Sequence, residues 1–148
     1  MSQEDSPLLH LELVAPSGPM FEGEVEMVVL PATTGELGIL PRHAPLVAQL
    51  SIGRMRVLKA GGEWVHFAVA EGFAKVQFNN VIVLADAAEE ASQIDVDRVH
   101  KSIELATQRL EMHRLGTVPE GEDVDVYREQ LALRRAHNRL KVAERLEK

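Results

Sequence analysis

The 148-residue chain contains no cysteine, which excludes a disulfide framework, a thiolate metal site and a cysteine nucleophile. A small secreted domain usually leans on disulfides, so a reducing interior compartment is expected. Aromatic residues make up only 4% of the chain, and the core must therefore be built from Val, Leu, Ile and Ala. No apolar run approaches the roughly 20 residues that a membrane-spanning helix needs. Positive charge is not in excess either. The net charge of −7 and pI of about 5.4 argue against a nucleic-acid binder, whose affinity for phosphates comes from clustered Lys and Arg. The opening segment, Met1 to Pro7, is polar and acidic, unlike a signal or transit peptide. The expectation is a soluble chain that reaches any membrane only through partners.

Apolar residues at 45% and charged residues at 26% are ordinary for a globular protein. The length suits one domain, or one small domain with an appendage. Up to about Ala87 the chain reads as short strands. Leu9, Leu11 and Leu13 alternate with His10, Glu12 and Val14 until Pro16-Ser17-Gly18-Pro19 interrupts them. Glu22, Glu24 and Glu26 alternate with Gly23, Val25 and Met27, ahead of Val28-Val29-Leu30. Ala60-Gly61-Gly62 and Asn79-Asn80 each separate two apolar runs, predicting two hairpins. Strands at this spacing suggest an antiparallel sandwich or barrel. Trp64, Phe67, Phe73 and Phe78 fall on those strands and are expected in the core.

Beyond Ala87 the apolar period becomes helical. Val96, Val99, Ile103, Ala106 and Leu110 form one stripe, with Ser92 or Asp95 as the cap. Leu115 to Asp123, holding Gly116, Pro119 and Gly121, reads as a connector. A second stripe of Leu133, Ala136, Leu140 and Ala143 follows, flanked by Leu131, Val142 and Leu146. The spacing predicts an α+β chain, with a β-domain over 1–88 and an antiparallel αα-hairpin over 89–148. The hairpin's stripes are thin and rich in Ala. It therefore buries little apolar area, and reads as a docked, movable arm.

Reactive chemistry is hard to assemble. The six histidines show no metal spacing, and only His43, before Ala44-Pro45, lies in a suggestive loop. Gly35-x-x-Gly38 lacks the Gly-Lys-Ser/Thr of a phosphate loop, no serine sits in a nucleophile elbow, and the glutamates of the second strand read as a solvated face. Without a nucleophile, a base and an orienting group, an enzyme is disfavoured. A free-standing ligand-binding β-sandwich with a dimerising helical tail is the alternative to an interaction subunit, and a stable one-to-one complex with a partner separates them.

The stretch Gly35-Glu36-Leu37-Gly38-Ile39-Leu40-Pro41-Arg42-His43-Ala44-Pro45-Leu46 resembles the characteristic loop of epsilon subunits of F-type (rotary) ATP synthases. The opening Leu-x-Leu-x-x-Val-Ala-Pro-Ser-Gly, then Phe21-Glu22-Gly23, Glu71-Gly72-Phe73-Ala74-Lys75-Val76 and Val81 to Glu89 are similar to that family in the same order. The resemblance spans roughly residues 8 to 146. It implies a ten-stranded antiparallel β-sandwich followed by the helical hairpin, in a non-catalytic central-stalk subunit with no required cofactor. Its implied partners are the gamma subunit, the c-ring and the alpha/beta catalytic head, with no nucleic acid, at the cytoplasmic face of the bacterial plasma membrane. Gly38, Ile39, Leu40, Pro41 and His43 are the implied rotor-side contacts. The hairpin would inhibit ATP hydrolysis through Arg128, Arg134, Arg135, Arg139 and Lys141 against the beta subunit, although a solvated helix face explains those charges equally well.

Ile94-Asp95-Val96-Asp97-Arg98 is also similar to the Ile/Leu-Asp-x-x-Arg-Ala motif by which some bacterial members bind ATP as a regulatory ligand. Val99 stands where that motif has Ala. Glu89, Arg135 and Arg139 fall at positions resembling the rest of that pocket. Arginines can pair with phosphates and carboxylates can accept from an amino group or ribose hydroxyl. Helix capping by Asp95 and an intrahelical ion pair of Arg98 are the structural alternative.

Overall fold

The computed structural model describes residues 7–144. Leu146 and the opening residues up to Ser6 lie outside them. The chain divides into two compact units, which meet between Ala91 and Ser92.

The first unit is one sheet of six strands: β1 (Leu9–Ala15), β2 (Gly18–Ala32), β3 (Gly35–Ile39), β4 (Leu46–Lys59), β5 (Trp64–Gln77) and β6 (Asn80–Glu90). Their order is β1-β6-β5-β4-β2-β3, and a further β1–β2 pairing closes five of them into a ring. Six strands stand where ten were expected, because β2, β4 and β5 run unbroken for 14 or 15 residues. One long strand crossing both faces of a flattened barrel does the work of two short ones, with bulges taking up the bend. Register shifts in β2 between Val25 and Met27, and between Val29 and Ala32, are such places. The expected all-antiparallel pairing also needs correction, since β1 and β6 run parallel from His10↔Asn80 to Val14↔Leu84.

Alternation decides what fills the ring. Leu9, Leu11, Leu13, Val25, Val28, Leu30, Val81 and Val83 are almost fully buried. Phe67 meets Phe21 edge-on at 6.1 Å between ring centroids. Both hairpins form: β4–β5 turns at Ala60-Gly61-Gly62, and β5–β6 turns one residue earlier than expected, at Phe78-Asn79 between the paired Gln77 and Asn80. Of the four aromatics expected in the core only Phe67 is there, while Trp64, Phe73 and Phe78 are exposed.

A 3-10 turn (Ala91–Gln93) spans the boundary, and the second unit holds two helices, α1 (Val96–Leu115) and α2 (Val126–Glu144). Asp95 caps α1 by accepting from the Arg98 amide at 3.1 Å, which settles the choice between Ser92 and Asp95. Gly116 ends α1 in the left-handed conformation, φ 72°, with its N–H on the last carbonyls. Asp125 caps α2 through the Arg128 amide at 3.1 Å. The Arg109–Glu129 ion pair at 3.1 Å bridges the two helices and marks their antiparallel register. Val99, Ala106, Ala136 and Ala143 are buried along the expected stripes; Ile103, Leu110, Leu133 and Leu140 are half-buried, and Val96 is exposed. Among the described residues no helix is long and apolar enough to cross a membrane.

Candidate docking surface

The loop between β3 and β4 is fastened at two points. His43 N–H donates to the Leu40 carbonyl at 3.1 Å, and Arg42 between them has φ 68°. Proline second and a left-handed residue third make Leu40-Pro41-Arg42-His43 a type II turn. The Arg42 amide then donates to Asn79 Oδ1 at 2.6 Å, and the Asn79 carbonyl accepts from the His10 amide at 2.8 Å. Loop, β5–β6 turn and the start of β1 thus form one end of the unit. His43 Nδ1 is 2.7 Å from the Ala44 carbonyl and donates to it in the tautomer protonated there.

Of the loop residues expected to meet a partner, Gly38 and Leu40 are exposed, and Pro41 and His43 are half-buried. Ile39 is fully buried in the core, so its side chain anchors the loop and offers nothing to a partner. Gly38 has little room: a β-carbon there would lie 3.2 Å from Met27 Cε.

The β5–β6 turn adds a second feature. Phe78 and Asn79 both have positive φ, 50° and 62°, the pattern of a type I′ hairpin. Asparagine accepts that conformation readily, whereas a bulky aromatic is strained by it. Phe78 is nevertheless 80% exposed at the tip. A strained, solvated aromatic gains little packing energy within its own chain, which makes Phe78 a candidate contact.

The same end carries an apolar sheet face. Val47, Lys75 and Ile82 are direct cross-strand neighbours, and Gln49, Phe73 and Leu84 form the next row. Val47 is 72% exposed, Phe73 56%, Leu84 55% and Ile82 37%. Phe73 and Leu84 are directly opposed, about 5 Å apart, and Val47 and Ile82 stand in the adjoining row on either side of Lys75, so the four share one outer face. The sequence reading missed it by counting Phe73 and Phe78 as core. The available signal is that β5 and β6 carry large apolar residues at both parities. Ala74, Val76, Val81 and Val83 fill the interior, leaving Phe73, Ile82 and Leu84 no place but the outside.

In the helical unit Arg98, Arg128, Arg134 and Lys141 are exposed, and none forms an ion pair among the described residues; of the structural alternative for this motif, the Asp95 cap is present and the intrahelical pair of Arg98 is not. Arg135 and Arg139 are half-buried. Continuing the Arg109–Glu129 register by equal steps along both helices brings Arg98 and Arg139 to nearly the same level. Asp95 spends one carboxylate oxygen on its cap. Glu89 stands on β6 of the other unit, paired with Ala68. Val99 is buried.

Comparison with known proteins fits this arrangement. The β-sandwich domain of the ATP synthase delta/epsilon chain matches residues 8–91, and the long alpha-helix domain of the same chain matches residues 92–144. The chain is 44% identical over 134 residues to the ATP synthase epsilon chain of Desulforamulus reducens, covering 90% of this chain and 96% of that one. It is 46% identical over 139 residues to the epsilon chain of Halalkalibacterium halodurans, covering 94% and 99%. The fold is similar to a chain in the cryo-EM structure of the Euglena gracilis mitochondrial ATP synthase, with a TM-score of 0.72 at 22% identity, covering 97% of this chain and 87% of that one. With both domains matched in order and relatives aligned almost end to end, the chain belongs to the ATP synthase epsilon-chain family.

Proposed function

We propose that this chain is a non-catalytic part of the central stalk, working at the cytoplasmic face of the bacterial plasma membrane. Its β-unit would fasten to the gamma subunit and to the ring of c subunits. The observation that carries this reading is the outer sheet face where Val47, Phe73, Ile82 and Leu84 are exposed, beside the tied loop and Phe78. A monomer rarely leaves such a patch in water unless a partner covers it. That face is assigned to gamma, and Gly38, Leu40, Pro41 and His43 to the ring. A closed sheet with a close-packed aliphatic interior deforms little, as a part that transmits torque requires. Gel filtration with purified gamma subunit tests the reading: a one-to-one complex supports it, and separate elution refutes it.

The hairpin is proposed as a brake on ATP hydrolysis by the alpha/beta head. Arg128, Arg134 and Lys141 offer exposed positive charge for an acidic segment of the beta subunit, with Arg135 and Arg139 beside them. Removing residues 92–148 is expected to raise the ATPase rate of the assembled enzyme several-fold without impairing assembly. The cut belongs after Ala91, because Ala88, Glu89 and Glu90 still pair with Val69, Ala68 and Phe67. Unchanged hydrolysis would exclude a braking role.

ATP is the proposed regulatory ligand, with no other cofactor required. Arg98 and Arg139 at one level of the hairpin supply charge for its phosphates, Arg135 lies one turn from Arg139, and Asp95 is the candidate carboxylate of the same unit. ATP at ten times its dissociation constant would stabilise the folded chain by about 1.4 kcal/mol. The melting temperature should rise with millimolar ATP in the wild type and stay fixed in Arg98→Ala. Absence of any shift in the wild type would end the nucleotide reading.

A further inference from the structure

The seam where β1 meets β2 carries a charged cluster distinct from the apolar docking face. His10 points outward between the buried Leu9 and Leu11. Its Nδ1 lies 2.6 Å from Glu24 Oε2, its Nε2 3.2 Å from Glu22 Oε2, and the same Nε2 3.9 Å from Glu12 Oε1. Ionised carboxylates only accept hydrogen bonds, and a neutral imidazole has a single N–H. Both bonds can therefore exist together only when both ring nitrogens carry protons. The ladder sharpens the point: His10 stands directly opposite Glu24, and Glu12 directly opposite Glu22. Like charges in that position destabilise a strand pair.

We propose that His10 is a proton-operated clasp on the seam that closes the sheet. Holding its second proton, it ties β1 to β2 through Glu22 and Glu24; losing that proton, it drops one bond and leaves Glu12 and Glu22 to repel across the ladder. The neighbouring elements do not supply the missing charge. On β6, Asn80 and Ile82 face His10 and Glu12, and neither ionises. On β2, Glu26 lies beyond Val25, the last residue paired with β1, and brings no positive charge. On β4, Lys59 is paired with Glu63 at 3.3 Å. On β5, Lys75 is opposite Ile82, one strand further on. The hydrogen bond to Glu24 is the largest effect and raises the His10 pKa; desolvation, the next largest, opposes it, and the hydrogen bond to Glu22 with the charge of both glutamates leaves the pKa above the ordinary histidine value. A pKa raised by folding means the seam's extra stability is complete below the ordinary histidine value. It is lost as pH rises through the folded-state midpoint.

Nuclear magnetic resonance on the full chain tests this from about pH 5 to about pH 9, the range a histidine switch spans. The His10 ring should titrate above the ordinary histidine value in the wild type, and lower in Glu24→Gln. Amide exchange of the β1–β2 ladder, referred to the β4–β5 ladder of the same molecule, should accelerate several-fold across the His10 midpoint. That step should be absent in His10→Gln. A wild-type midpoint at or below the ordinary value, or an equal step in His10→Gln, would overturn the clasp. Should His10→Gln fail to fold, the midpoints of the wild type and Glu24→Gln decide alone.

Discussion

Replacing Gly72 by alanine is expected to lower the melting temperature of the β-unit by about 12 °C or more. Gly72 has φ 134°, a conformation side chains rarely adopt, and follows Glu71 at φ 61°. An alanine β-carbon would lie 2.1 Å from the Leu84 carbonyl oxygen and 2.8 Å from the Ala85 Cα. Both are backbone atoms of the paired strand β6, so no side chain can swing aside. Dihedral strain and overpacking together cost about 3 kcal/mol or more, and a domain of this size loses roughly 4–8 °C for each kcal/mol. Gly61→Ala is the control, since nothing lies within 4 Å of its β-carbon position and its φ is ordinary. Thermal melts followed by circular dichroism should separate the two variants. Equal melting temperatures would show that β5 and β6 do not approach so closely at this point.

Phe73→Asp should weaken binding to the gamma subunit by about 30-fold or more, the loss typical of one buried aromatic anchor. Phe73 lies in the centre of the exposed row, between Gln49 and Leu84. In the free chain its side chain is 56% exposed, so the variant should melt close to the wild type. Trp64→Ala supplies the comparison. Trp64 is also exposed, but it stands at the far end of β5, opposite Leu58 and beneath the Arg56 guanidinium 5.7 Å from its ring. Titration calorimetry should find binding retained in that variant. Full affinity in Phe73→Asp would remove the sheet face from the interface and leave only the loop and turn as contacts.

The two variants probe one place from opposite sides. Gly72 lets β5 lie close against β6, and this close approach sets Phe73 and Leu84 side by side on the outer face. Gly72→Ala should therefore reduce gamma binding as well as stability, whereas Phe73→Asp should reduce binding alone.

Much of the architecture was legible in the residues themselves. The change from period two to helical period near Ala87 separates the units, because a strand and a helix show different residues to their surroundings. Asp95, Gly116 and Asp125 mark helix ends by local chemistry, and both hairpin turns stand within one residue of where Gly and Asn placed them. Strand number, the parallel β1–β6 pair and closure of the ring were not legible, since each depends on partners far apart in the chain. The same limit hid the docking face. Phe67 and Phe73 both sit on β5 at odd positions, yet Phe67 is buried and Phe73 exposed, because the positive φ values at Glu71 and Gly72 between them reverse which side faces inward. His10 shows the same thing for charge. Its neighbours in the chain reveal Glu12 alone, and only the β1–β2 register brings Glu22 and Glu24 onto its ring. Sequence by itself therefore determined the strand-to-helix division, the helix ends, the hairpin turns and the family, all of which rest on short-range chemistry and residue order. The tertiary structure alone decided which apolar groups stay in water and which charges meet, because burial and ion pairing are properties of the assembled sheet.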